Sequence, residues 1–260
     1  MEPAMRKNLV PLFASLAALA FAACGGGGGD SSESACDAVK IAGGETCSAS
    51  TSPVVQLTID GSSFCSASII SPTALLSAAH CVQGARSIQA FHAGAQETVR
   101  RAYYSNLYPG GVDQYDVAVL EVSSGFTSAA GVAPLPLLTS QAPDSGATVA
   151  LSGYGVNQDG ELDLSSPKAA FLTFTQYDQG LIVADDQTGV GRPGDSGGPL
   201  VYQNAQWGVF SGLVPDGTTN FFASVQNPDN FVFIQRYARG IQTASSSNQT
   251  EPGVVWTAAE

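Results

Sequence analysis

Gly191-Arg192-Pro193-Gly194-Asp195-Ser196-Gly197-Gly198-Pro199-Leu200 is the stretch on which the fold turns. Glycines crowd a single serine. Glycine accepts positive φ and lets other backbone come close, so the serine sits on a tight, exposed bend within reach of a substrate. The backbone N–H groups of Gly194 and Ser196 can converge on one point beside the hydroxyl, as an oxyanion hole requires. The competing reading is a glycine-rich surface turn with an incidental serine. A bare Gly-x-Ser-x-Gly would leave that reading ahead, but Gly-Asp-Ser-Gly-Gly-Pro is far more specific.

A serine hydroxyl is a weak nucleophile without a base, and the base needs an orienting partner. The chain has two histidines. His80 ends the apolar run Leu75-Leu76-Ser77-Ala78-Ala79-His80 and precedes Cys81, whereas His92, in Ala90-Phe91-His92-Ala93-Gly94, has no such setting. Asp116 opens Asp116-Val117-Ala118-Val119-Leu120, which reads as a buried strand. Ala-Ala-His-Cys, Asp-Val-Ala-Val-Leu and Gly-Asp-Ser-Gly-Gly-Pro, in that order, resemble the histidine, aspartate and nucleophile motifs of the chymotrypsin/trypsin-like serine proteases.

The resemblance spans about Ile41 to Gly240. It implies an all-β fold of two antiparallel six-stranded β-barrels with a C-terminal helix. His80 and Asp116 would come from the first barrel and Ser196 from the second, with the site in the cleft between them. His80 would take the Ser196 proton while Asp116 holds the imidazole tautomer. Gly194 and Ser196 would bind the oxyanion, and an acyl-enzyme would form with no metal or other cofactor. Two rival readings are a catalytically silent binding lipoprotein on the same fold and an esterase using the same triad.

The composition agrees with a β-rich body. The chain has 260 residues, 44% hydrophobic and only 12% charged, enough for a domain of about 200 residues with flanking segments. Net charge is −12 with ten Lys and Arg, two of them (Arg6 and Lys7) in an expected leader. Clustered cations for phosphate are missing, which argues against a nucleic-acid partner.

Residues 1–23 resemble a bacterial export signal: Arg6-Lys7, then the apolar run from Leu9 to Ala23, too short for the ~20 residues of a membrane span. Ala20-Phe21-Ala22 fits ordinary signal peptidase. Phe21-Ala22-Ala23-Cys24 resembles a lipoprotein box, with Phe21 in place of the usual Leu. Five cysteines leave one over, and lipidation of Cys24 would leave four, which favours the second route. Residues 24–40 then form a Gly/Ser tether and activation leader. The expected location is a membrane-anchored lipoprotein, periplasmic or at the cell surface, and otherwise secreted. The expected partners are a protein or peptide substrate and an activating protease, with a membrane engaged only through Cys24 and the protein monomeric.

Lys40-Ile41-Ala42-Gly43-Gly44 resembles the family's activation site, with Ala42 for the usual Val. By that resemblance, cleavage after Lys40 frees the Ile41 amine to pair with Asp195 and to hold the Gly194 N–H in place. The uncut chain is then expected to be nearly inactive. Cys36, Cys47, Cys65 and Cys81 allow three pairings. The resemblance implies Cys65–Cys81, bracing the His80 loop, although Ser66-Ala67 stands where Gly-Gly is usual. Cys36–Cys47 would remain, straddling the Lys40–Ile41 bond.

Short strands separated by turns fill the domain, residues 41–243. Val54–Ile59 stops at the hairpin signal Asp60-Gly61. Ser68–Ser71, Thr98–Tyr104 and Asp116–Val122 follow, then a Ser/Ala/Gly/Pro-rich crossing over 123–136. The second half starts near Ala147, with strands including Ala169–Thr175 and Leu181–Ala184. Asn230–Gln242 is the plausible helix, with Phe231, Ile234, Tyr237, Ala238 and Ile241 at helical spacing; residues 244–260 form a polar, loose tail. By resemblance, Ser211, Gly212 and Leu213 grip an extended substrate. Val190 stands where trypsin-type enzymes carry the Asp that binds Lys or Arg. With Leu213 narrowing the pocket and Asn220 at its back, a small or medium apolar P1 side chain is expected. Arg192 replaces a common cysteine, leaving the pocket loops unstapled.

Overall fold

Asp60-Gly61 turns the chain where the sequence places the turn. Both residues have positive φ, 50° and 77°, and the Ser62 amide closes on the Ile59 carbonyl at 3.1 Å. That backbone geometry matches the twist of an antiparallel pair. β1 (Val54–Ile59) consequently pairs with β2 (Ser63–Ser71), Ile59 opposite Ser63. The structure, a computed structural model, describes residues 47–157, 159–214, 217–245 and 257–258. Cys24, Cys36, Lys40 and Ile41 lie outside the described residues, as do the expected leader and tether over 1–40.

The first sheet adds β3 (Ala74–Ser77), β4 (Ile88–His92), β5 (Ala95–Thr98), β6 (Arg101–Tyr104) and β7 (Ala118–Glu121). Its order is β5-β4-β1-β2-β3-β7-β6, every pairing antiparallel. It has seven strands rather than six because the run expected as one strand over Thr98–Tyr104 breaks at Val99-Arg100. There the Val99 amide bonds the Ile88 carbonyl and the Arg100 amide bonds the Glu121 carbonyl, each at 2.9 Å. Those two bonds bring opposite edges of the sheet together and curl it into a barrel.

The second sheet contains β8 (Leu137–Ser140), β9 (Thr148–Gly153), β10 (Lys168–Asp178), β11 (Leu181–Asp186), β12 (Pro199–Tyr202), β13 (Ala205–Leu213) and β14 (Thr219–Ser224). Pairing runs β12-β9-β10-β11-β14-β13 and back from β13 to β12, a closed ring of six strands. β8 and β15 (Gln242–Ser245) extend it through parallel contacts, so β15 carries ordered backbone into the segment expected to be loose, and β16 (Thr257–Ala258) pairs with β15. These are the two barrel-like sheets the motifs imply.

Three short helices complete the chain as described: α1 (Ala79–Val82), α2 (Ser124–Ala130) and α3 (Pro228–Tyr237). α2 lies within the expected crossing. Ser123 caps it, its Oγ accepting the Phe126 amide at 3.1 Å, which satisfies an otherwise orphaned donor. α3 starts two residues before the expected helix, where the Asn227 side chain caps Asp229 N and Pro228 takes the first turn, positions both residues suit. It ends at Tyr237, short of Gln242, whose backbone is committed to β15. The expected apolar face is nonetheless right: Ile234, Ala238 and Ile241 are buried. They pack into the first half's core with Leu57, Ile69 and Leu76, and Tyr237 stacks on Tyr103 at 4.2 Å. The second core gathers around Trp207, Phe210 and Phe222. Among the described residues no helix is long and apolar enough to cross a membrane.

Candidate active site

His80, Asp116 and Ser211, three of the expected site residues, are joined by hydrogen bonds across the two halves. β3 is buried along its whole length and delivers the chain into α1, whose second residue is His80. The His80 backbone N–H donates to Asp116 Oδ1 at 2.9 Å, and His80 Nδ1 lies 2.6 Å from Asp116 Oδ2. A carboxylate only accepts, so Nδ1 carries the proton and Nε2 keeps its lone pair. The imidazole is 30% exposed and Asp116 fully buried; the ring therefore faces the cleft while its partner is sealed behind it. Ser211 Oγ donates to the same Oδ2 at 2.7 Å. A buried carboxylate is tolerated when hydrogen bonds replace its hydration, and Asp116 has such bonds from both halves of the molecule.

Ser211 reaches Asp116 because β13 bulges there: Phe210 faces Phe222 and Gly212 faces Phe221, leaving Ser211 unpaired against β14. An inserted residue re-aims a side chain. The sequence marks Ser211 as a substrate-edge residue; its bond to Asp116 is an addition from the tertiary structure.

Ser196 lies on the opposing loop. Its carbonyl accepts the Ser66 amide at 2.7 Å, and Cys81 Sγ, next in sequence to His80, is 3.6 Å from that oxygen. The expected Cys65–Cys81 disulfide is formed and links β2 to α1. The nucleophile loop is thus held against the segment bearing His80. A His80 ring nitrogen and the two sulfurs lie within 4.8 Å of one another, but sulfurs joined in a disulfide are not thiolate ligands. Cys47 is buried, and its amide donates to the Pro167 carbonyl.

The loop itself is built around Asp195. Gly194 has φ +101°, a conformation that L side chains rarely adopt. Its carbonyl accepts Ser66 Oγ at 2.8 Å, and Ser66 Oγ in turn accepts the Tyr154 amide at 2.9 Å. Among the described residues the Gly194 and Ser196 amides donate to no protein acceptor. Asp195 is fully buried and accepts the Gly155 amide at 2.7 Å and the Arg192 amide at 2.8 Å. Burial pushes its pKa up to about 7 against these amides and the positive charges of Lys168 and Arg192. A Cβ at Gly155 would overlap the Asp195 carboxylate, so the strand can approach only as glycine.

The expected specificity residues also come together. Val190 is buried; the Gly191 amide donates to Asn220 Oδ1 at 2.8 Å, and Asn220 Nδ2 donates to the Ala184 carbonyl at 3.1 Å. Both ends of the Asn220 amide are therefore engaged by backbone. Leu213, half-buried, pairs with Asn220 across β13 and β14. Two pocket neighbours escape a sequence reading. The Phe210 ring lies against Gly191, and Val112 covers Gly212, where a Cβ would come within 2.6 Å of Val112 Cγ2. Val112 comes from a segment distant in sequence, and Phe210, although next to Ser211, meets Gly191 only in the fold. His92 is a core group: it is buried, its Nε2 lies 2.7 Å from the Ser52 carbonyl, and desolvation lowers its pKa.

The family model for Trypsin matches residues 41–232. The chain belongs to the trypsin family of serine endopeptidases. Serine protease SP24D of Anopheles gambiae is 27% identical over 78% of this chain and 80% of its own length. A trypsin of Saccharopolyspora erythraea is 26% identical over 71% of this chain and 93% of its own. The crystal structure of the scabies mite inactivated protease paralogue S-D1 superposes with a TM-score of 0.63 at 19% identity, covering 75% of this chain and 96% of the paralogue. That likeness shows the fold alone, because an inactivated protein shares it.

Proposed function

We propose that this trypsin-family chain hydrolyses peptide bonds with Ser196 as nucleophile, His80 as general base and Asp116 as orienting group. The observation that carries the reading is the His80–Asp116 pair, with Nδ1 2.6 Å from a buried carboxylate and the ring open to the cleft. Asp116 fixes the tautomer, so Nε2 takes the Ser196 proton as the hydroxyl attacks. The Gly194 and Ser196 amides receive the oxyanion. His80 then protonates the leaving amine, an acyl-enzyme remains, and water activated by His80 releases it. An esterase would use the same groups. The edge at Ser211, Gly212 and Leu213, suited to strand addition by an extended chain, favours a peptide.

Cleavage after Lys40 would raise activity, the freed Ile41 amine supplying the positive charge that buried Asp195 lacks. An α-amine is mostly cationic at neutral pH. Cys36–Cys47 would keep the clipped leader attached, and Cys24, if lipidated after export, would tether the monomeric domain to a membrane. Val190, Leu213 and Asn220, with Phe210 against Gly191, leave room for a small or medium apolar P1 side chain and no carboxylate for a basic one. A fluorophosphonate probe applied to the chain cut after Lys40 should label it, and Ser196→Ala should not label. A peptide library should show turnover after Ala, Val or Leu. Rapid cleavage after Arg would overturn the specificity, and equal labelling of Ser196→Ala would overturn the nucleophile.

A further inference from the structure

Lys168 stands out among the buried polar groups. It opens β10, opposite Gly153 of β9, and is only 9% exposed. Its Nζ donates to the carbonyls of Gly155 at 3.1 Å and Asp163 at 3.0 Å. Among the described residues it is within ion-pair distance of no carboxylate. A buried ammonium held only by carbonyls is costly unless a negative charge lies nearby. The buried Asp195 carboxyl accepts the amide of the same Gly155 whose carbonyl holds Lys168.

We propose that Lys168 is a positioning residue for the nucleophile loop: anchored on the Gly155 carbonyl, its ammonium keeps Asp195 ionised against the Gly155 and Arg192 amides while Lys40 and Ile41 are still joined, so the uncut chain retains part of its catalytic capacity. This rests on the reading of Ser196 and Ile41 given above. The charged side chains acting on Asp195 are Lys168 from β10 and Arg192 from its own loop. Around it, Ser66 of β2 donates to the neighbouring Gly194 carbonyl and the Gly155 amide after β9 donates to the carboxylate, and neither group titrates here. An ionised Asp195 accepts both amides and fixes the turn beneath Gly194. A protonated one gives up an acceptor lone pair and loosens it. After cleavage the Ile41 amine takes over the charge and Lys168 becomes dispensable.

The test measures fluorophosphonate labelling rates from pH 5 to 9 for the full chain kept uncut by Lys40→Gln and for the chain cut after Lys40, each with and without Lys168→Met. The uncut chain with Lys168 should label measurably, with a rate that rises through pH ~7. Lys168→Met should slow it about tenfold at pH 7 and move the midpoint upward, the effect of roughly one unit on Asp195. The cut Lys168→Met chain should stay within about threefold of its parent, because one charge has replaced another. Equal losses in cut and uncut chains, or no change in the uncut midpoint, would overturn the proposal, as would an uncut parent that does not label while the cut parent does. A cut parent that does not label would instead sink the catalytic reading itself. Lys168→Arg, which keeps the charge, should preserve the uncut midpoint even if the methionine variant fails to fold; a shifted midpoint there also overturns the proposal.

Discussion

The two sides of the cleft are made differently. The His80–Asp116 side is an assembly of complete hydrogen bonds: a backbone amide, an imidazole and a hydroxyl all converge on one buried carboxylate. The Ser196 side is a glycine turn wrapped around a second buried carboxyl, Asp195, which has two amides and no ion pair among the described residues. Asp116 and Asp195 are equally buried. The first is compensated by its own surroundings. The second has two amides and only the more distant charges of Lys168 and Arg192, too little to offset its burial.

The sharpest way to break the contrast is Asp116→Asn. It preserves shape but lets the imidazole adopt the wrong tautomer, so kcat should fall about 10⁴-fold with the fold intact. A loss smaller than tenfold would mean that His80 is oriented by something else.

The next effect is a pH dependence confined to the other side. The Asp195 pKa is raised from 3.8 to about 7, so the folded uncut chain holds a proton that the unfolded chain has released. Its contribution to stability is complete below about pH 4 and is lost as pH rises to about 7, up to ~4 kcal/mol in all. Urea unfolding of the uncut chain at pH 4.5 and 8 reads this loss. Cutting after Lys40 should flatten it, and an unchanged slope after cutting would argue against the Ile41 pairing.

Gly155→Ala forces a methyl onto the Asp195 carboxylate between two held backbones. A cost of about 1–3 kcal/mol is expected, together with slower probe labelling. Wild-type stability and labelling would show that the loop has slack. Smallest is Ser66→Gly, which leaves the Gly194 carbonyl and the Tyr154 amide without their shared hydroxyl. A loss of ~1–2 kcal/mol in thermal unfolding is expected, with activity reduced less than tenfold.

Much of this was legible in the chain. The motifs around His80, Asp116 and Ser196 are local words, and the resemblance they carry implies the bridge from Cys65 to Cys81, whose formation the structure bears out. Asp60-Gly61 marks its own turn. α2 was missed although Ser123 caps it, because the crossing is so poor in helical periodicity that its small residues read as loop. The break at Val99-Arg100 was missed because both sides of it are strand-like. Only the partners across the barrel, Ile88 and Glu121, reveal that the chain changes edges there.

The sequence by itself determined the family and the three motifs around His80, Asp116 and Ser196 in their order, since each depends on a short run of residues whose chemistry is fixed by type. Only the tertiary structure decided what surrounds them: Ser66 bridging Gly194 and Tyr154, Ser211 reaching Asp116 from a bulge, Phe210 against Gly191, and Lys168 and Asp195 meeting on Gly155. These contacts join segments far apart along the chain. Solvation and charge act through space, so no local pattern of residues could have announced them.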